Sequence, residues 1–443
     1  MTTRRDFVAG TLAATLFPSP FPVPRSPLFQ QAGLRVNGDR LNRHLAELSA
    51  FGRTPTGTNR VAYTEADVAG REYATGLMRA AGLQVRVDTG ANIIGRREGR
   101  EPRLAPILIG SHIDSVPDGG NYDGDVGSLG AIEVAQALSE AGVRLRHPLE
   151  VVVFSNEEGG LLGSQALVGD LTAAELDVVS RSGKTIRDGI RFLGGDPDRL
   201  QAARRGPGEL TAYLELHIEQ GGILDETGIN IGVVEGIVGI LTYEVTVEGF
   251  GNHAGTTPMD RRRDALLAAA QLALAVNRIV TATPGRQVGT VGRMQAYPGA
   301  PNVVPGRVVM SVEVRDLAFD VMERLARDIQ AEAQRIAAAS NTTITFRLTN
   351  ENRPAPTDER LRRLIAQAAA ALGLTHRAMP SGAGHDAQDL AKIAPAGMIF
   401  VPSVRGISHS PAELSRPQDI TNGANVLLHT LLALDAGGLP RQG

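Results

Sequence analysis

A chain of 443 residues has room for two or three domains of about 100–200 residues each, and 42% hydrophobic with 21% charged content is that of an ordinary soluble globular enzyme. A net charge of −3, with the arginines dispersed and not patched, gives no electrostatic reason to expect nucleic acid or an anionic membrane as partner. Cysteine is absent, which excludes disulfides, thiolate ligands and cysteine nucleophiles; a metal would have to be held by His, Asp and Glu, a donor set that suits zinc, manganese, nickel or cobalt.

The N-terminus carries a targeting signature. Thr3-Arg4-Arg5-Asp6-Phe7 is a twin-arginine pattern, followed by an apolar run over residues 8–17 and a Pro/Ser-rich stretch to Pro27. The run is too short for a mature membrane span and fits the apolar region of a signal peptide. Residues 1–32 are therefore expected to be an export leader and the mature protein periplasmic; if the leader is not functional, it is cytoplasmic. A clear small-x-small cleavage site is missing.

From Leu41 helical and strand patterns alternate. Thr64-Glu65-Ala66-Asp67 predicts a capping-box start for a helix to Ala81, stopped by Gly82. Strands are expected at 83–87, 92–95 and 107–110, and a helix at 127–138. The near-continuous apolar runs 151–154 and 213–216 predict central strands buried on both faces. A different module begins near Gly239: strand 241–247, helix 262–279, strands 287–295 and 307–315, helix 320–338 and strand 342–348. That β-α-β-β-α-β order is the ferredoxin-like arrangement, and roughly 110 residues suits an inserted domain. After Asn350 the α/β pattern resumes with a helix at 358–372, a strand at 397–401 and a closing helix at 417–434. The expected architecture is α/β: a discontinuous metal-binding catalytic domain (33–236 and 351–443), with a mixed sheet flanked by helices, interrupted by a lid and dimerisation domain at 237–350.

The chemistry-bearing residues follow the apolar runs, where open α/β sheets place their sites. His112-Ile113-Asp114 puts two side chains on one face of an extended segment, so Asp114 can hydrogen-bond the imidazole and fix its tautomer, as metal-bound histidines require. Asp123 lies in the glycine-rich turn Asn121-Tyr122-Asp123-Gly124-Asp125; taken alone it reads equally well as a helix-cap residue. Glu157-Glu158 ends a buried strand, where adjacent carboxylates are costly unless solvated or metal-bound. The conflict disappears if one binds metal and its neighbour is the general base. His217 alternates with apolar residues and shares a strand face with Glu215 and Glu219, and His409 sits in a loop after the last strand. His44, His147, His376 and His429 read as structural or surface histidines.

The stretches GSHIDSVPDGGNYDGDVG, FSNEEGG, YLELHIEQG, GNHAGTTPMDRRRDAL, PNVVPG and ISHSPAE resemble the amidohydrolase branch of the M20 metallopeptidase clan, which contains N-carbamoyl-L-amino acid hydrolases, β-ureidopropionases and allantoate amidohydrolases. The resemblance runs from about residue 35 to 436. It implies two divalent metal ions (zinc, manganese, nickel or cobalt), with His112 and His217 on one, Glu158 and His409 on the other, Asp123 bridging and Glu157 as general base. It further implies that His253 reaches the active site of a partner subunit in a homodimer formed through the lid and stabilises the oxyanion there. Asn302 and Arg315 would hold a substrate carboxylate, with Gln220, Gly384 and His385 also on the substrate side. An arginine fork suits such a carboxylate, although pairing with Glu313 or Asp316 is an equally good reading of Arg315 from sequence. The implied reaction is hydrolysis of a linear amide or ureido C–N bond of a small molecule, most naturally an N-carbamoyl-L-amino acid or an allantoate-like compound.

One departure stands out. Many members follow the tandem glutamates with Arg-Phe, whereas this chain has Gly159-Gly160-Leu161-Leu162-Gly163-Ser164, which leaves the exact substrate open. Two alternatives remain at this point. An exopeptidase or aminoacylase of the same clan would differ in substrate and not in metals, and a periplasmic binding protein would carry a vestigial site.

Overall fold

A computed structural model describes residues 33–437; the leader expected over 1–32 lies outside the described residues. Its larger sheet has nine strands. Four of them form a parallel core: Leu149–Phe154, Ile107–His112, Ala212–Ile218 and Ala396–Val401, side by side in that order. Every residue of these four strands is buried, as continuous apolar runs require when helices cover both faces. Alternate side chains divide between two cores. Ile107, Ile109, Val151 and Val153 face the helices Asp125–Glu140 and Pro417–Gly437, while Leu108, Val152 and Phe154 face the opposite layer with Tyr213, Met398 and Phe400.

Antiparallel strands finish the sheet on both sides. Ile93–Arg97 and Gln84–Val87 extend it past Leu149–Phe154, and Ile231–Ile237 pairs with Ala396–Val401 on the other side. Ile231–Ile237 and its parallel neighbour His376–Ser381 are not among the sequence expectations. Gly232 and Gly236 interrupt the first, and Pro380 sits in the second, so neither presents the apolar pattern of a strand.

Ile237 ends its strand in the larger sheet, and Gly239 begins another in a separate five-stranded antiparallel sheet. Chain order there is strand Gly239–Glu248, helix Ala265–Ala282, strands Val288–Thr290 and Met294–Tyr297, strand Arg307–Asp316, helix Phe319–Ser340 and strand Thr343–Asn352. The single strand expected at 287–295 is broken in two, both halves pairing with Arg307–Asp316. Burial alternates residue by residue along Arg307–Asp316, because both helices cover one face, around Val245, Val308, Met310 and Val312, and leave the other to solvent.

Helix starts are set by local chemistry. Thr64 caps Glu65–Ala80 by accepting from the Asp67 amide, but the expected reciprocal contact is displaced: the Asp67 carboxylate accepts from Tyr63 N at 2.8 Å, one residue outside the cap. Asp358 caps Glu359–Ala371 and Asp264 caps Ala265–Ala282, each through its side chain.

Candidate metal centre and active site

Parallel strands end at the same edge of a sheet, and that brings the distant motifs together. His112 and His217 are the last or next-to-last residues of their strands, Glu157-Glu158 come after Phe154 with Ser155 and Asn156 between, and His409 lies in the loop after Val401. Asp123 enters from the turn before helix Asp125–Glu140. Gly124 makes that turn possible twice over: its φ is +67°, and a Cβ there would lie 2.4 Å from the His112 ring.

Two groups of donors form around Asp123. His112, Asp123 and His217 make one; Asp123, Glu158 and His409 make the other, with the ligand atoms within 4.8 Å of one another in each. The two oxygens of Asp123 divide between them. Oδ1 lies 3.1 Å from His217 Nε2 and 3.7 Å from His112 Nε2; Oδ2 lies 3.2 Å from His409 Nε2, which is 3.5 Å from Glu158 Oε1. The histidine rings are oriented from behind. His112 Nδ1 is 3.0 Å from Asp114 O and His217 Nδ1 is 2.9 Å from Ile218 O, which places a proton on each Nδ1 and turns each Nε2 inward towards Asp123 as the atom a metal would take. The donor set, its shared carboxylate and its fixed tautomers fit a pair of divalent cations.

Asp114 works differently from the expectation. Its carbonyl, and not its carboxylate, holds the His112 ring; the nearest carboxylate oxygen is 3.6 Å away. The carboxylate instead accepts from the amides of Glu157 and Glu158, both at 3.1 Å, and so fixes the turn that aims the tandem glutamates. Glu215 and Glu219 are likewise spent on structure. Glu215 accepts from Ser111 Oγ at 2.8 Å and Ala387 N at 3.1 Å, and Glu219 accepts from Ile223 and Leu224 N, both at 2.8 Å.

The electrostatics follow from burial. Desolvation, with the charges of Asp386 and Glu158, holds the Glu157 carboxyl well above its usual range. Burial and Asp123 push Glu158 up to about 8. Burial lowers His112 to about 4. On His217 burial opposes charge, but the hydrogen bond and charge of Asp123 win and push it up to about 9; His409 rises to about 9 mainly through its Asp123 contact. Glu157 Oε2 stands 3.6 Å from His112 Nε2, beside the cluster and outside both donor groups.

Several residues here escaped sequence reasoning. Glu413 accepts from the amides of Tyr122 and Asp123 through one oxygen and lies 2.8 Å from Ser408 Oγ through the other, tying the Asp123 turn to the His409 loop. The motif ISHSPAE contained it, but a lone glutamate in a loop carries no periodic signal. Arg60, 1% exposed, donates through Nη2 to both Asp125 oxygens and through Nε and Nη1 to the Ile113, Leu48 and Phe51 carbonyls, bracing the same turn from below. Asp386 is fully buried with neither oxygen hydrogen-bonded.

A cleft of about 240 Å³ opens on the cluster, lined by Asp123, Glu157, Glu158, Gln220, Gly384, His385 and His409, among others. Gln220 Nε2 donates to Asp123 Oδ2 at 2.6 Å. His385 is buried, its ring edge-on to His217 at 4.4 Å and its Nε2 2.9 Å from Ser381 Oγ. A larger hollow of about 510 Å³ lies elsewhere, among Val68, Glu72, Arg79, Val87 and Phe192; neither donor group touches it, so chemistry selects the smaller one.

The insert's residues are placed otherwise. Arg315 donates to Glu313 Oε1 at 2.7 Å and to Gly382 O at 2.8 Å, beside the cleft rim. His253 and Asn302 are exposed and line no part of the cleft. They are neighbours, on a short ribbon where Asn252–His253 pairs with Val303–Val304 and Ala254 N donates to Asn302 O. His253 Nδ1 accepts from the amides of Gly255 (3.0 Å) and Thr256 (3.1 Å), which puts the ring proton on Nε2, a donor with no acceptor among the described residues.

Comparison with known proteins agrees with this architecture. The chain is 41% identical to an N-carbamoyl-L-amino acid amidohydrolase of Geobacillus stearothermophilus, over 91% of this chain and 100% of that one. It is 39% identical to a ureidoglycolate hydrolase of Arabidopsis thaliana (91% and 88% covered) and 33% identical to the allantoate amidohydrolase of Escherichia coli (87% and 95%). Among solved structures, a hydantoinase/carbamoylase-family amidase from Burkholderia multivorans superposes with a TM-score of 0.83 at 40% identity, covering 90% of this chain and 98% of that one. A Staphylococcus aureus tripeptidase, 15% identical, shares the fold with a TM-score of 0.65, covering 90% and 99%. Residues 108–433 match the model of peptidase family M20/M25/M40, and the chain belongs to that family.

Proposed function

We propose that this protein is a dinuclear metal-dependent amidohydrolase that cleaves a linear, non-peptide C–N bond, with N-carbamoyl-L-amino acids as substrates. The observation that carries the reading is Asp123, whose two oxygens are shared between two donor groups, with a buried, unliganded carboxylate, Glu157, beside them. The relatives named as carbamoyl-amino-acid and allantoate hydrolases align over most of both chains, which favours ureido substrates over dipeptides.

His112 and His217 would hold one cation, Glu158 and His409 the other, and Asp123 both. Held there, divalent cations supply Lewis acidity and acidify water. Glu157 takes the proton of the attacking water and returns it to the leaving nitrogen as the C–N bond breaks; its elevated affinity for a proton suits that relay. The products are the free L-amino acid and carbamate, which decomposes to ammonia and carbon dioxide. Arg315 and Asn302 receive the substrate carboxylate, Gln220, Gly384 and His385 line its path, and His253 Nε2–H donates to the developing oxyanion.

The insert serves as a ferredoxin-like lid and dimerisation domain. Two observations support that role: His253 has a donor with no acceptor among the described residues but lies outside the cleft of its own chain, and helix Ala265–Ala282 leaves Leu267 and Leu274, one heptad apart, 54% and 74% exposed. A leader over residues 1–32 would deliver the enzyme to the periplasm.

The test is turnover of N-carbamoyl-L-amino acids, allantoate, N-acyl amino acids and dipeptides by protein loaded with zinc, manganese, nickel or cobalt. Hydrolysis of the ureido compounds is expected to dominate. Preference for dipeptides would overturn the substrate assignment in favour of an exopeptidase.

A further inference from the structure

The hollow of about 510 Å³ lies between one face of helix Glu65–Ala80 and the segments around Val87 and Phe192. Small-molecule sites span roughly 300–1,000 Å³, so its size suits one. Its lining is amphoteric. Val68, Val87, Ile93 and Phe192 form apolar walls, while Glu72 and Arg79 stand exposed, two turns apart on the helix. Neither has a hydrogen-bond or ion-pair partner among the described residues. Arg71, 5% exposed, is the buried charge of the lining. Its Nη2 donates to Ala91 O; Nε and Nη1 make no hydrogen bond among the described residues. Asp67, Asp88 and Asp114 act on it from a distance, none as an ion pair, and burial pulls its pKa down, the mark of a buried cation whose charge is under-compensated.

We propose that this hollow is a second binding site, separate from the cleft, for a free L-amino acid with an apolar side chain, and that the amino acid released by the reaction inhibits turnover from there. The identity of that product rests on the amidohydrolase reading above. An α-carboxylate matches the guanidinium groups of Arg71 and Arg79, an α-ammonium matches Glu72, and an aliphatic side chain matches Val68, Val87 and Phe192. A carbamoyl amino acid has no ammonium, so the lining distinguishes product from substrate. The route to the cleft runs through Ala91. Its carbonyl is held by Arg71, and it is a non-glycine residue at φ +67°, a conformation that persists only where its surroundings impose it. The same turn grips the chain just before the tandem glutamates: Ser155 Oγ donates to Gly90 O at 2.8 Å and Ser155 N to Asn92 Oδ1 at 3.1 Å. A carboxylate that draws the Arg71 fork off Ala91 loosens this turn, and with it the placement of Glu157 and Glu158. Occupation of the hollow therefore lowers kcat.

Metal-loaded enzyme turning over N-carbamoyl-L-leucine is assayed with added L-leucine. Product returning to the cleft raises KM alone. Occupation of the hollow should also lower kcat, by about fivefold or more at saturation, the lower end of ordinary coupling between sites. Glu72→Lys and Arg79→Glu, exposed positions away from the cluster, should each abolish the kcat effect and leave uninhibited turnover and the KM effect unchanged. 4-Methylpentanoate lacks the ammonium and isopentylamine the carboxylate, so neither should reproduce the effect. Purely competitive inhibition by leucine overturns the proposal and leaves the amidohydrolase reading standing, as does a kcat effect that survives both substitutions. An equal effect of 4-methylpentanoate would make the hollow a simple anion site and overturn the amino-acid assignment. If no carbamoyl compound is turned over, the amidohydrolase reading fails by itself, and calorimetry of leucine binding to the metal-loaded protein decides the site: binding lost in both variants sustains it, and binding that is absent or unchanged in both overturns it.

Discussion

The buried cluster at the sheet edge and the exposed ribbon on the insert are built on opposite principles. Around Asp123 everything is braced. Imidazoles are oriented by backbone carbonyls, glutamates are aimed through their own amides by Asp114, and the turn is held by Glu413 above and Arg60–Asp125 below. His253 and Asn302, by contrast, sit in solvent on a two-residue ribbon, and their orientation rests on local backbone contacts alone. One half of the proposed site is preorganised in a single chain; on that proposal the other would be delivered by closure or by a second subunit.

Three substitutions test that division. The largest effect belongs to the braced half: Glu157→Gln is expected to cut kcat by about 10²–10⁴ while metal content, measured by elemental analysis, is unchanged. Near-normal turnover would remove Glu157 from its role. Next, His253→Ala should cost about 10²–10³ in kcat, with the cluster's metal content again intact. Mixing that variant with Glu157→Gln sharpens the comparison, since a hybrid dimer would pair an intact base with an intact His253 and regain turnover. If the mixture stays as inactive as its parents, His253 does not act across subunits. Arg315→Lys is milder, because a point charge replaces a fork: KM should rise about tenfold or more with kcat less affected. A kcat effect without a KM effect would place Arg315 away from the substrate carboxylate.

The same contrast explains what could be read from the chain. Apolar runs that end in His or Glu-Glu announce strands feeding a sheet edge, so His112, Glu157-Glu158 and His217 were legible from pattern alone. Their meeting point was implied because parallel neighbours end together. Residues that act through others left no such mark. Glu413, Arg60 and Asp386 sit in loops or at helix starts, where one charged residue looks like any solvated one, and only the folded packing shows them buried. Asp114 was legible as a partner of His112, but H-x-D spacing cannot say whether carbonyl or carboxylate makes the contact. The strands Ile231–Ile237 and His376–Ser381 were hidden by their glycines and proline.

The smallest expected effect separates the halves by pH. In the metal-free protein burial raises Asp114 to about 6, Asp125 to about 7 and Glu158 to about 8. The folded state thus keeps protons that the unfolded chain has lost above about pH 4. His217 and His409, at about 9, keep theirs above the ordinary 6.5. For all five the native state binds more protons than the unfolded one, so their contribution to stability falls as pH rises, through roughly pH 4–8 for the carboxylates and 6.5–9 for the imidazoles. His112, lowered to about 4, opposes this only between about pH 4 and 6.5. Cations need ionised carboxylates and neutral imidazoles, so their stabilisation grows over the range in which the metal-free protein weakens. Melting followed with and without zinc or manganese should show a rise of a few degrees at pH 8 and little at pH 5.5. Hydrogen exchange should slow on metal addition in helix Asp125–Glu140, which carries the Asp123 turn, and stay unchanged in Ala265–Ala282 on the insert. Equal protection of both helices would mean that the insert is already coupled to the cluster within one chain, and the two halves would then be one rigid site.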